Sequence, residues 1–403
     1  MSGGESNKKQ TSPEYAMDDA DIFHKAMAGY GGRLDPMNLH PSTAEGLNQA
    51  ADRARGFLQT AAAALPNLPP IYFGYFNNSE FNAVAFREDG RYFIGVSRGA
   101  AAILAVLFDR MLADPRILPI WNRDPPEVDA ADLPLIPDLG PDFLHAVASV
   151  PLFSGPRHPA RQAAAGLMKA AAFDFLIAHE FAHIANGHID YLNSVRGVSA
   201  IDEVGDTPES SETALIRQTM EMDADGTAVW ISLGSDWRKV AMAREEYYRY
   251  PGIVSLIWSY AVSSLCRVFG DNRLTGGDVM QESYPRWRLR SVMIQQETGR
   301  VPRPDRLQTN PALVGDEHHR IPAAIKAAHE DVERIFSLLT GKPESMEGLD
   351  EAWGDVGKSQ KRRLQEYWRT ELRGELLRFA YHPLNCYGES GGEATGEPAN
   401  LIL

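Results

Sequence analysis

The chemistry of this sequence is concentrated in two pairs of side chains. In AAFDFLIAHEFAHIANGH, His179 and His183 lie four residues apart. On a helix both imidazoles then project from one face about one turn apart, the bite a metal ion needs. Glu180 flanks that face, close enough to take a proton from a metal-activated water without being a ligand itself. The second pair is in EMDAD, where Glu221 and Asp225 also share a helical face. A catalytic zinc site has three protein ligands and a position left for water, and two histidines with a glutamate is a known set. Glu221 is therefore read as the third ligand. Asp225, one turn on, is read as the acceptor for the free N–H of a ligand imidazole, fixing its tautomer.

Ala172, Phe173, Leu176, Ile177, Phe181 and Ile184 make the surroundings of HExxH strongly apolar. Burying three polar side chains there calls for a compensating partner such as a metal. Taken alone, Glu221 and Asp225 read as a solvated acidic helix face; HExxH gives them a task. On ideal helix geometry Asp223 points away from that face and is read as surface or structural. His188, half a turn off the ligand face, is read as a satisfied structural histidine, and His318-His319 has no partner at metal-site spacing. The chemistry expected is one Zn2+ per chain, lowering the pKa of its water toward about 7 and polarising a carbonyl while Glu180 relays the proton. The oxyanion needs a further donor, for which Tyr284, Arg288 and Arg290 are candidates, with Tyr191 more distant.

HExxH combined with a glutamate on a second helix resembles the gluzincin metallopeptidases. EMDADGTAVW is similar to the glutamate-x-x-x-aspartate helix of the HtpX-like and prenyl-protein-processing peptidases. NAVAFREDGRYFIGVSRGA, from Asn82, looks like the hairpin those families place upstream of the zinc helix, where it supplies a strand along which substrate backbone pairs. YPRWRLR resembles their downstream His-Pro segment, leading to an arginine that matches Arg290, with Tyr284 standing in place of the histidine. HEFAHIANGHIDYL is also similar to the soluble phage-exclusion (Lit-like) bacterial peptidases, single cytoplasmic chains. The resemblance covers about residues 82–290, without the membrane helices of the HtpX-like group and with an added Pro-rich insertion. It implies a zinc endopeptidase acting on a protein or peptide, with Glu180, Tyr284 and Arg290 catalytic.

The elements that must position these residues are legible in outline. Ser42 and Glu45 form a capping-box signature before an alanine-rich helix that stops at Pro66. IYFGYF, FNAVAF and RYFIGV read as strands, the last two joined by Asp89-Gly90 as a hairpin over Phe81 to Val96. Ser97 then caps a helix. Ten prolines between 114 and 159 exclude a long helix or central strand there, leaving a loop-rich insertion with enough large apolar residues to pack. Helical patterns follow over about 160–192, 213–233 and 253–269. Two more are marked by Ile325, Val332, Ile335, Phe336 and Leu339, and by Leu364, Trp368, Leu372 and Leu376. The fold class expected is α+β and mostly helical: a gluzincin-like zinc-peptidase core with a small β-hairpin or antiparallel sheet, and a helical C-terminal region. The division expected is a disordered tail over 1–40, a metallopeptidase domain over 41–300 that contains the 114–159 insertion, helices over 301–385, and a flexible tail over 386–403.

Composition excludes several classes. The 403 residues carry 40 basic and 54 acidic side chains, a net charge of -14, which argues against nucleic acid as main partner because phosphate binding wants a positive surface. Two cysteines, Cys266 and Cys386, are too few for a disulfide framework or an all-thiolate metal site, and a reducing, cytoplasmic setting fits them. The N-terminus lacks the apolar run of a signal peptide. Residues 253–269 are too short and too polar to span a membrane and read as a buried helix. Two alternatives come from other classes. One is a noncatalytic metal-binding sensor or clamp, which would have no use for Glu180. The other is an interaction protein that docks through the Leu364, Trp368, Leu372, Leu376 stripe, a pattern that is more often plain core.

Overall fold

The Asp-Gly turn sets the sheet. In the computed structural model, which describes residues 17–119, 133, 135–136, 155–198, 200–202, 210–242, 251–268, 287–301, 311–344 and 346–384, Ala83–Glu88 (β2) pairs antiparallel with Arg91–Ser97 (β3). Asp89 and Gly90 have φ of 49° and 76°, the left-handed backbone that a two-residue type I′ turn demands. Ile71–Phe76 (β1) runs parallel to β3 on its far side, and the short strand Ala200–Asp202 (β4) pairs antiparallel with β2, giving the order β1-β3-β2-β4. The sheet is therefore mixed and not antiparallel throughout. The link 77–82 crosses the end of β3, placing β1 and β2 on opposite sides of it. The free strand edge expected in the hairpin is also absent along Val84, Ala85 and Phe86, because β4 pairs with all three.

Side chains alternate across this sheet, as the period of two requires. Phe73, Tyr75, Ala83, Ala85, Tyr92, Ile94 and Val96 face the main core, whereas Phe76, Val84, Phe86 and Phe93 face a smaller cluster completed by Ile22, Phe23 and Met27. With both faces covered, the strands read as nearly continuous apolar runs. The helix Asp19–Ala26 (α1) provides the second cover. Its Phe23 is fully buried over Gly74 and Gly95, where an added Cβ would come within 3.0 and 3.3 Å of the Phe23 ring. The tail expected over 1–40 is thus corrected from residue 17 onward; residues 1–16 lie outside the described residues, as do most of the 114–159 insertion and the 386–403 tail.

Pro41–Ala64 (α2) begins one residue before the expected cap. Pro41 takes the first helical position, which its fixed φ suits, and Ser42 Oγ lies 2.9 Å from His40 Nδ1. Glu45 accepts from the Gln49 amide, so the capping box does not form. Ser97, by contrast, accepts from Ala100 N at 2.9 Å and caps Arg98–Ala113 (α3) as read.

The helix that carries HExxH, Pro159–Ala185 (α4), is the axis of the core. It packs on α2, α3, β2 and β3, with Phe57 edge-on to Phe181 and Phe73 edge-on to Phe173. It ends sooner than the apolar pattern, which runs on to Leu192. Gly187, at φ 81°, breaks the helix, and His188–Arg196 (α5) restarts in a new direction. Ser211–Met242 (α6) carries EMDAD and packs along α4. Pro251–Val268 (α7) is the buried helix expected there, with Trp258 edge-on to Phe175 of α4. No helix among the described residues is long and apolar enough to cross a membrane.

Trp287–Thr298 (α8), Pro311–Thr340 (α9), Glu347–Trp353 (α10) and Asp355–Tyr367 (α11) complete the helical side. A π turn, Trp368–Leu372, and a final helical turn, Arg373–Leu376 (α12), follow. Leu364, Trp368, Leu372 and Leu376 are at most 2% exposed and lie in the same hydrophobic cluster as the sheet and α4. The chain itself covers that stripe, so it is core and not a docking face.

Two of these contacts give measurable outcomes. An alanine Cβ at Gly187 would sit 2.6 Å from the Phe379 carbonyl carbon. Gly187→Ala therefore meets both a clash and a left-handed backbone, and denaturant unfolding is expected to show a loss of at least about 1 to 2 kcal/mol. His329 is buried, 2.6 Å from Ser291 Oγ, and burial, reinforced by the Arg288 charge, pulls its pKa from 6.5 down to about 4. The unfolded chain then takes up this proton first as pH falls. Stability from this group is whole above pH 6.5 and declines toward pH 4, by up to about 3 kcal/mol. Urea midpoints measured across that range should lose this part of their slope in His329→Gln.

Candidate metal centre

Packing α6 against α4 brings the two motifs face to face. His179 Nε2 and His183 Nε2 are 3.0 Å apart. Glu221 Oε2 lies 3.2 Å from the first and Oε1 3.4 Å from the second. Among the described residues this is the group whose His and carboxylate donor atoms gather within 4.8 Å of one another, and all three residues are buried. Two donors each about 2.1 Å from a tetrahedral ion sit about 3.4 Å from one another, so separations of 3.0 to 3.4 Å fit a first-row divalent cation. The donor chemistry fits as well. Burial pulls the pKa of His183 well below 6.5, aided by the neighbouring His179, His188 and Arg290, and a neutral imidazole is the form that binds metal.

Behind these donors the expected partner is in place. Asp225 Oδ1 lies 3.0 Å from His179 Nδ1, leaving Nε2 to face the other donors. Burial alone would raise the Asp225 pKa, but the Arg290 charge and the His179 N–H outweigh it, and the carboxyl stays below its ordinary value. Arg290 donates from Nε and Nη2 to the two Asp225 oxygens at 2.9 Å each, and its Nη2 lies 3.7 Å from Glu221 Oε2. This forked geometry binds a carboxylate well. Arg290, expected as an oxyanion donor, is thus engaged with the carboxylates of α6.

Two of the other candidate donors have partners of their own, and the third is not described. Arg288 pairs with Glu333 at 3.1 Å, Tyr191 packs edge-on against Phe379, and Tyr284 is outside the described residues. Glu180 is 1% exposed, as are His179, His183 and Glu221, so the centre is sealed from bulk solvent in this state.

Asp223 takes the structural one of its two readings, and His188 is satisfied as read but also reaches the site. Asp223 is not on the surface: it is fully buried, accepts from the Asn186 amide and lies 3.2 Å from His188 Nε2. His188 Nδ1 in turn lies 3.0 Å from His183 Nδ1. The half-turn offset holds for a continuous helix, and Gly187 makes the helix discontinuous; that glycine in ANGH was the available signal. The last described residues also reach the site. His382 Nε2 is 2.6 Å from Asn186 Oδ1, and Tyr381 N donates to the Ala185 carbonyl at 2.8 Å. No motif pointed to that contact.

No family model, curated protein or solved structure matches the chain. The site consists of two imidazoles and a carboxylate that could hold a metal ion, with Glu180 beside His179 in the chain. If Glu221 is a ligand, Glu221→Ala should weaken divalent-ion binding by more than the about 10- to 100-fold typical of losing an outer partner. Elemental analysis after dialysis reads this directly, and full metal retention would assign the third ligand to another residue.

Proposed function

We propose that this chain is a zinc-dependent endopeptidase that hydrolyses a protein or peptide substrate, a single-zinc enzyme of gluzincin type working in a reducing, cytoplasmic setting. The observation that carries the reading is the convergence of His179, His183 and Glu221 with Glu180 next to a ligand on the same helix. A His, His, Glu donor set with one protein ligand short of four suits catalytic zinc. Bound there, the ion supplies a Lewis acid and a water acidic enough to be deprotonated near neutral pH.

The chain's own residues do the rest. Glu180 takes a proton from the attacking water and returns it to the leaving amine, so one carboxylate serves as base and then as acid. Asp225 holds His179 in the tautomer with Nε2 bare, and Arg290 keeps Asp225 ionised. Tyr284 is a candidate donor to the oxyanion, although it stands where the resembling families carry a histidine. With Glu180 and all three donors 1% exposed, a polypeptide reaches them only after the cover moves, and the state described is a resting one.

That same burial favours a second reading, a noncatalytic metal clamp. Glu180 separates the two, since a structural site has no use for a base. Glu180→Gln should keep the metal and the fold while cutting peptide hydrolysis about 100- to 10,000-fold. Product mapping by N-terminal labelling, wild type against variant, gives the measurement. Equal cleavage by the two proteins removes Glu180 from the mechanism, and chelator-insensitive cleavage removes the metal.

A further inference from the structure

The peptidase reading leaves Asp223 and His188 without a task, although both are 0% exposed and His188 lies against His183. Their protons can be traced. Asp223 Oδ2 accepts from the Asn186 amide, and the carboxylate has no proton to give, so His188 Nε2, 3.2 Å from the same oxygen, is the donor. A neutral imidazole protonated at Nε2 has a bare Nδ1. That atom lies 3.0 Å from His183 Nδ1, which must then carry the proton between them. His183 is left with a bare Nε2, the atom that faces His179 Nε2 and Glu221.

We infer that Asp223 and His188 are positioning residues that fix, as a two-step relay, the tautomer and orientation of His183 as a metal ligand. They do for His183 what Asp225 does directly for His179. The backbone explains why one arm is longer. Residues two apart on a helix point about 200° away from each other, so when Asp225 faces His179, Asp223 faces the far side of α6. His188 bridges the gap because the left-handed Gly187 turns the chain back at the end of α4. EMDAD thereby contributes a ligand and two separate orienting carboxylates, and each ligand histidine has its own.

This inference rests on the metal site, but its first test needs neither metal nor turnover. Nitrogen-15 NMR of histidine-labelled, metal-free protein, with signals assigned through single-histidine variants, should find the proton on Nδ1 of His183 and on Nε2 of His188. A proton on Nδ1 of His188 would overturn the relay. The second test is zinc affinity by chelator competition. His188→Leu should weaken binding about 10- to 100-fold. His188→Asn, whose amide oxygen can stand near the place of Nδ1, should recover most of that loss, which a purely space-filling role would not predict. Unchanged affinity in a folded His188→Leu protein refutes the proposal, and if that variant does not fold the wild-type tautomers decide alone. Wild-type protein that takes up no zinc would instead refute the metal reading.

Discussion

Everything at this centre follows from burying ionisable groups together in an apolar helix junction. Glu180, Glu221, Asp223 and Asp225 are all at most 1% exposed, and a carboxylate taken out of water is tolerated only when charge or hydrogen bonds replace the hydration it lost. Arg290 and His179 compensate Asp225, while Asn186 and His188 compensate Asp223. Glu221 lies between two imidazoles with Arg290 farther off. A divalent cation completes that balance more naturally than a proton would, because it satisfies three donors at once.

The apolar elements around the junction hold it still. α4 is clamped by aromatic edge contacts from α2, β1 and α7, through Phe57, Phe73 and Trp258. At its N-terminal end the buried Arg161 donates to the carbonyls of Leu112, Asp114, Ile117 and Leu118, fastening the helix to the end of α3 and the loop after it. A ligand set on two rigid helices keeps its geometry better than one carried on loops. The sheet contributes support: its inner face packs on α4 and its outer face is closed by α1.

What the sequence disclosed and what it withheld divide along physical lines. His179, His183, Glu221 and Asp225 were legible because helical spacing fixes which side chains share a face, and the structure brings all four together. The hairpin and the Ser97 cap were legible because their residues act on their own backbone. Contacts that depend on a break or a long return of the chain were not. The contact of His188 with His183 was hidden because half-turn spacing assumes an unbroken helix, and Asp223 was left between surface and structural because nothing local says that α6 is covered around it. The parallel pairing of β1, the strand partner at Ala200–Asp202 and the packing of Phe23 on two glycines are likewise tertiary events with no local signature.

The residues that lock the end of α4 come from the far end of the chain. Tyr381 satisfies the Ala185 carbonyl, its hydroxyl lies 2.9 Å from that of Tyr92, and His382 holds Asn186. Synthesis runs from the N-terminus and domains fold as they emerge, so a ribosome has moved 196 residues past Asn186 before His382 exists to hold it. The HExxH helix thus waits for a segment made much later to be fastened, and a chain truncated shortly before Tyr381 would be released with that fastening missing.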